Sequence, residues 1–443
     1  MAKETYAPPE YTPLDEKDKI DIWHHTWRPP IFSYTGGTAP HENEAYKVYR
    51  ANKYTKEEEE AYRVFADESC QSYNYPDGSP WKDEGGYWLK CLKMLATPDQ
   101  MRIIMLLPGI VGREDYLTKE QIAEKLGMEQ NYVNDILEDL IQKSLVLPGR
   151  RGFRANSALA LIKDGVLPIS KWTEEPWWKE LTEAFCELYE KEYRPAAAVE
   201  SMAVEVLGGR MFAHPYALDQ GVEQTKGMEG VTKYDDIRYC LNEATELGVE
   251  PCACLIKDRA KRDCGKPENV CLQLNRNFTY NHNRGVSTKI TKEQALDICL
   301  RAWDWGCVPL PSNQKEFSRQ LCNCHVCTCC DPFSFCVVAG LPIKRRFTPS
   351  RFRGIVDPQK CTGCQECIKH CTFGSIEMKH YDGEKNPRHP YGKAIWKAWI
   401  DPEVCMGSGC CVVHCPEKAI HLKVVRPLSF IPDELPPRVL RFS

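Results

Sequence analysis

The residues best equipped for chemistry are cysteines at fixed gaps. Cys361-Thr-Gly-Cys364-Gln-Glu-Cys367-Ile-Lys-His-Cys371 sets three thiols at two-residue gaps and a fourth after three. Such a loop can wrap one face of a four-iron cubane, while the fourth cysteine lies too far along to close that cluster and reaches a neighbouring one. A reciprocal copy is then required, and one follows: Cys405-Met-Gly-Ser408-Gly-Cys410-Cys411-Val-Val-His-Cys415-Pro416. The flanks repeat as well. Gly374-Ser-Ile-Glu and Lys418-Ala-Ile-His each read as a short strand after its loop, and Ile355-Val356 and Trp399-Ile400 lead into the loops. Zinc also takes paired cysteines, but a cross-donated fourth cysteine and an internal repeat argue against it.

This segment resembles the two-cluster bacterial ferredoxins. The resemblance implies two [4Fe-4S] clusters, one held by Cys361, Cys364, Cys367 and Cys415 and the other by Cys371, Cys405 and Cys411. The second loop departs from the pattern, because Ser408 stands where its second thiol belongs and Cys410 sits two residues late. Three readings follow. Cys410 binds after a local bend permitted by Gly407 and Gly409, Ser408 binds through oxygen, or the site holds a three-iron cluster or a cubane with an open iron. The first is preferred.

A second constellation lies upstream. Pro251-Cys252-Ala-Cys254 is followed by Cys264-Gly and Cys271-Leu, and then by Cys322-Asn-Cys324-His-Val-Cys327-Thr-Cys329-Cys330. These nine thiols could hold one or two cubanes, since each needs about four thiolates. The preferred reading is two sites, one from Cys252, Cys254, Cys264 and Cys271, the other from the 322–330 run. One mixed site with spare cysteines is the alternative, and zinc is more plausible here than in the repeat. His325 and His414, inside cysteine loops, read as solvated histidines, although a histidine there could tune a cluster. Cys70, Cys91, Cys186, Cys240, Cys299, Cys307 and Cys336 read as small core residues.

Taken together, these segments resemble a group of anaerobic bacterial ferredoxin-domain proteins that join a helix-turn-helix-like part, a PCxC…CG…CL segment, a CNC-rich segment and a C-terminal two-cluster ferredoxin. The resemblance covers roughly residues 95–425 and includes Thr291-Lys-Glu-Gln-Ala-Leu and Pro311-Ser312-Asn313. It implies electron transfer to or from a partner oxidoreductase in anaerobic metabolism.

Composition sets the frame. The 443 residues exceed what one core usually serves, and 42% of them are apolar, enough for several. With 62 acids against 58 Lys and Arg, nothing drives the chain toward nucleic acid or an anionic membrane. No secretory core opens the sequence and no run approaches a membrane span, so a soluble, cytoplasmic protein is expected. In that compartment 24 cysteines indicate metal rather than disulfides. Twenty of them lie between 252 and 415, against four before.

The elements that must position these thiols are mostly helical. Residues 1–85, rich in Pro, Tyr, Trp and Glu, read as an extended arm whose Tyr6, Tyr11, Trp23, Trp27, Phe32 and Tyr34 lie against a partner or the chain's own domains. A helix is expected over 89–95. Thr97-Pro98 caps a second helix through Leu107, and Thr118 with Gln121 makes a capping box for a helix stopped by Gly127. Glu129–Ser144 carries Val133, Ile136, Leu137, Leu140 and Ile141 on one face, and 145–153 reads strand, turn, strand. This order suggests a winged helix-turn-helix. Helices are also expected over 174–207 (broken at Arg194-Pro195), from Tyr234 to Leu247 with a stop at Gly248, and over 291–305.

The expected class is α+β and multidomain: an arm (1–85), a winged-helix-like docking module (86–165), a cysteine-rich iron–sulfur domain (166–345), a two-cluster ferredoxin domain (346–425) and an extended tail (426–443). With no G-x-G-x-x-G, no phosphate loop and no catalytic residue to single out, the chain reads as a non-catalytic electron-transfer subunit serving a redox donor or acceptor. Two [4Fe-4S] clusters are expected in the ferredoxin domain and one or two in the middle. The alternatives are a redox-sensing DNA-binding regulator and an oxidoreductase acting at an open iron. The candidate recognition helix carries Glu129, Asp135, Glu138 and Asp139 against Lys143, the wrong sign for phosphates. Fluorescence anisotropy with duplex DNA at 150 mM salt is therefore expected to show nothing tighter than non-specific binding, about 10⁻⁴–10⁻⁶ M; tight, salt-sensitive binding would contradict it.

Overall fold

The computed structural model describes residues 6–23, 43–70, 86–109, 115–169, 175–193, 209–261, 264–315, 320–325, 340, 342–345, 347–381 and 395–434. They form an α+β chain with several small sheets.

Residues 6–23 are extended apart from one 3-10 turn and lie on the chain's own middle. Tyr11 donates to the Arg238 carbonyl at 2.8 Å, Arg301 donates to the Ile20 carbonyl, Ile22 is buried, and Trp23 meets Trp305 edge-on at 4.7 Å. Trp27, Phe32 and Tyr34 lie outside the described residues. The expectation of an extended arm as far as residue 85 is corrected by two helices, α1 (Glu44–Ala51) and α2 (Lys56–Cys70). Asn43 caps α1 by accepting from the Tyr46 amide, and Asn52 ends it in the left-handed region. In α2 the run Glu57–Glu60 masks a buried stripe of Tyr62, Phe65 and Ala66 at helical spacing.

Next come α3 (Tyr87–Leu95), α4 (Pro98–Ile104), α5 (Lys119–Leu126), α6 (Gln130–Gln142), the hairpin β1 (Val146–Gly149) and β2 (Gly152–Ala155), α7 (Leu159–Val166) and α8 (Pro176–Leu188). Thr97 with Gln100 and Thr118 with Gln121 form capping boxes, and Gly127 ends α5 at φ +62°. One apolar core joins α2 to α8 and takes in Ala253, Ile256 and Val286 from farther along.

Next come α9 (Pro215–Asp219) and β3 (Val222–Glu223), whose apolar residues pack with Phe352, Ile420 and Leu422. A second core forms around α10 (Ile237–Glu243), β4 (Leu247–Pro251), α11 (Ala253–Arg259), β5 (Asn269–Leu274), α12 (Arg276–Asn283), β6 (Thr288–Lys289), α13 (Lys292–Asp304), β7 (Val308–Leu310) and β8 (Gln320–Cys324). The expected helix to Leu247 instead stops at Glu243, and Gly248 lies inside β4. Gly248 marks a close approach rather than a helix stop: a Cβ there would stand 2.3 Å from the Phe278 ring. Five antiparallel strands run in the order β6-β4-β5-β8-β7. Alternation gives the sheet two characters. Val249, Val270, Leu272, Leu274 and Leu321 share the α13 side and its apolar core, while Glu250, Cys271, Gln273 and Cys322 share the other face.

The remainder comprises β9 (Phe352–Val356), α14 (Glu366–Lys369), β10 (Ile376–Tyr381), β11 (Ile395–Ile400), α15 (Cys410–Val413) and β12 (Ile420–Val424). β10 pairs with β11, and β12 lies between β9 and β3. A buried ion pair fastens this part to the preceding one. Arg351 Nη1 lies 2.7 Å from Asp235 Oδ2, both side chains at most 1% exposed, and Arg351 also donates to the carbonyls of Glu229, Gly230 and Arg426. Asp235→Ala leaves that guanidinium buried without its carboxylate, so denaturant unfolding of the intact chain should show a loss of about 3–5 kcal/mol; an unchanged midpoint would contradict the anchoring role.

Candidate metal centres

The two C-terminal cysteine loops have the same backbone. Cys361 and Cys405 each donate their amide to an aspartate carbonyl four residues back, Asp357 at 3.1 Å and Asp401 at 2.9 Å. Each aspartate amide in turn bonds across to the other copy, Asp357 to Ala419 O and Asp401 to Ser375 O. Gly363 and Gly407 both have positive φ (+77° and +70°), and a Cβ on either would strike a strand carbonyl, Trp396 O at 2.5 Å or Phe352 O at 2.3 Å. Gln365 and Gly409 are left-handed and open α14 and α15. The last thiol of each loop accepts a backbone N–H, Cys371 from Ser375 at 3.3 Å and Cys415 from Ala419 at 3.2 Å. His370 and His414, matched in the copies, stack at 3.6 Å with planes 6° apart. The repeated Asp-Pro-[Gln/Glu]-x-Cys lead-in (357–361 and 401–405) carries these aspartates and was a readable sequence signal beyond the cysteines.

This symmetry sorts the thiols. Cys361, Cys364, Cys367 and Cys415 line one pocket. Burial, with these three neighbouring thiols, pushes Cys367 up to about 11. Burial also raises Cys411 well above an ordinary thiol, and the neighbouring Cys405 and Cys371 add to the shift. Four converging thiols, one also taking the Ala398 amide at 3.5 Å, are the donor set a cubane needs.

The Ser408 loop makes no extra bend. Ser408 occupies the place of Cys364, and Cys410 begins α15 where Glu366 begins α14. Glu366 faces solvent and pairs with Lys369, whereas Cys410 is 2% exposed and packs with Met406 and Phe373 in the core of the five-stranded sheet. Cys410 hydrogen-bonds Ser408 and lies within electrostatic reach of Cys371 and Asp304. The loop rests on α9, with the His214 amide donating to Ser408 O at 2.7 Å. The His214 ring packs on Trp303 at 4.5 Å, and burial lowers its pKa to about 3.

Upstream, the structure brings together thiols that sequence separates. Register places Cys271 directly opposite Cys322. Cys252 is the residue before α11 and Cys254 its second residue, so the helix start folds both over the sheet face. Side-chain hydrogen bonds link Cys252 to Cys254 and Cys271, and Cys322 to Cys271 and Cys324. The bonds from Cys271 and Cys324 favour the Cys322 thiolate. Strand pairing thus brings described thiols of the first run next to those of the second. Cys264, nine residues of chain beyond Cys254 and past the rest of α11, falls elsewhere, within electrostatic reach of Cys307. Cys327, Cys329 and Cys330 lie outside the described residues.

Charged groups that the sequence did not single out surround this set. Lys163 of α7 donates to Cys254 Sγ at 3.1 Å and pairs with Asp164 at 2.8 Å. Burial raises Asp164 to about 7 and Glu250 well above the carboxylate range. Gln273 and Asn281 donate to Glu250. Cys91, Cys186, Cys240, Cys299 and Cys307 are buried core residues, Cys299 and Cys307 pushed to about 12 by burial; Cys336 and the Cys70 side chain lie outside the described residues. Burial lowers His325 to about 4.

Among the described residues no three His, Cys, Asp or Glu side chains close at the spacing of a single metal ion, and no helix is long and apolar enough to cross a membrane. Comparison with family models, curated proteins and solved structures finds no match. Because the Gly363 turn admits no Cβ, Gly363→Ala should lower the iron recovered after anaerobic reconstitution by about four per chain, one cubane. Unchanged iron would contradict the assignment of that loop.

Proposed function

We propose that the chain is an iron–sulfur electron-transfer protein, a subunit relaying single electrons to or from a partner oxidoreductase in anaerobic metabolism. The observation that carries this reading is the matched pair of cysteine loops, each closing its partner's thiol set. [4Fe-4S] clusters supply one-electron transfer with little bond rearrangement, at low potential when thiolate-bound. Cys361, Cys364, Cys367 and Cys415 would hold one, and Cys371, Cys405 and Cys411 a second with Ser408 or Cys410. Cys252, Cys254, Cys271 and Cys322 would hold a third.

The surroundings support an order for these centres. Cys364 is exposed, so the first centre is the outer one and meets a redox partner. The second faces inward: Thr372 Oγ1 donates to the Gly306 carbonyl at 2.6 Å, and His414 lies 3.3 Å from Asp304, both at the end of α13. That helix covers the apolar face of the sheet whose other face carries the third set. The helical part with α5, α6 and the β1–β2 hairpin, winged-helix-like in order, would serve as a docking surface rather than a DNA reader. A cytoplasmic location belongs to the same proposal.

Anaerobic isolation with iron and sulfide assays, followed by electron paramagnetic resonance of the reduced chain, tests it. About twelve irons and as many sulfides per chain, with signals of interacting reduced clusters, are expected for three cubanes. Zinc in place of iron, or iron without sulfide, would overturn the proposal.

A further inference from the structure

We propose that Lys163 sets the reduction potential of the centre formed by Cys252, Cys254, Cys271 and Cys322, holding it higher than the thiols alone would; this rests on reading that set as an iron–sulfur site. Lys163 belongs to no cysteine motif and reaches the set from α7, about ninety positions before Cys254. Its side chain is 1% exposed, and its Nζ donates to Cys254 Sγ at 3.1 Å. An ammonium carried this far from water needs anionic partners. Asp164 is one, at 2.8 Å, and the Cys254 sulfur is another.

The second buried lysine nearby, Lys257, likewise pairs with the aspartate next to it, Asp258. Both ammonium groups flank the Tyr189 ring, Lys163 at 5.1 Å and Lys257 at 5.2 Å. At the C-terminal centres the hydrogen-bond partners of sulfur among the described residues are backbone amides and the Ser375 and Ser408 hydroxyls, with no lysine among them.

Reduction adds one negative charge to a cluster. A cationic donor on a ligand sulfur therefore favours the reduced form more than the oxidised one, as hydrogen bonds and charge generally do. The electron comes from the redox partner and stays on the cluster; Lys163 gains and loses no proton in the step. Electrons entering through the exposed end are then drawn toward the middle centre.

The test is a redox titration, followed by electron paramagnetic resonance, of the full chain reconstituted anaerobically with iron and sulfide. In Lys163→Met one midpoint should move negative, electron affinity falling about tenfold or ~59 mV for one electron. The other midpoints should stay, and Lys163→Arg should restore most of the shift. If Lys163→Met loses the iron of that centre, Lys163→Gln is compared with Lys163→Arg: a lower midpoint in the glutamine variant supports the proposal, and equal midpoints overturn it. A normal iron count with no midpoint moved in Lys163→Met overturns the proposal alone. About eight irons per chain in the unaltered protein, two cubanes rather than three, overturns the reading beneath it.

Discussion

Strand register is the constraint on which the middle of the molecule depends. Cys271 on β5 and Cys322 on β8 stand directly opposite each other, and a slip of one residue would turn both into the apolar core under α13. The same register sets Glu250 beside Cys271, which brings a carboxyl group to the thiol face. The apolar face of the sheet therefore does two things. It buries Val249, Leu272 and Leu321, and it forces the intervening residues, thiols among them, to the opposite side. Leu272 and Leu321 thus specify where the thiols point as much as the thiols do.

That opposite side is closed by the first helical core. α11 lies between the two cores, placing Ala253 and Ile256 in one and Cys252 and Leu255 in the other. Arg284, at the end of α12, donates to the carbonyls of Ile141 and Gln142 at the end of α6 and of Gly165 in α7. A cation is favoured at helix C-termini, and here it locks two helices of one core to the sheet of the other. A helical module that would suggest a separate function by its order is in this chain a wall of the cysteine site.

Much of the C-terminal site was legible because its information is local. The gaps between Cys361, Cys364, Cys367 and Cys371, repeated from Cys405 to Cys415, encode the loops, and the flanking strands appeared where Ile376 and Ile420 indicated. The helix starts at Thr97, Thr118 and Thr291 were equally plain. The middle site was not, because its partners are set by strand pairing across a separation of fifty residues. CxC and CNC runs read as separate sites until Cys271 is seen opposite Cys322. Lys163 was invisible for the same reason: a lysine in an apolar helix carries no motif, and its meaning comes from the sulfur it touches. In α2, a run of glutamates outweighed a real apolar stripe in the reading of residues 44–70.

The central claim is that thiols distant in sequence converge into cluster sites. Anomalous diffraction at the iron edge from anaerobically grown crystals tests it most directly. Three groups of iron peaks are predicted: one among Cys361, Cys364, Cys367 and Cys415, one among Cys371, Cys405 and Cys411, and one between Cys271 and Cys322 under the start of α11. Peaks confined to the C-terminal loops, or a zinc-edge signal at the Cys271–Cys322 pair, would contradict the account.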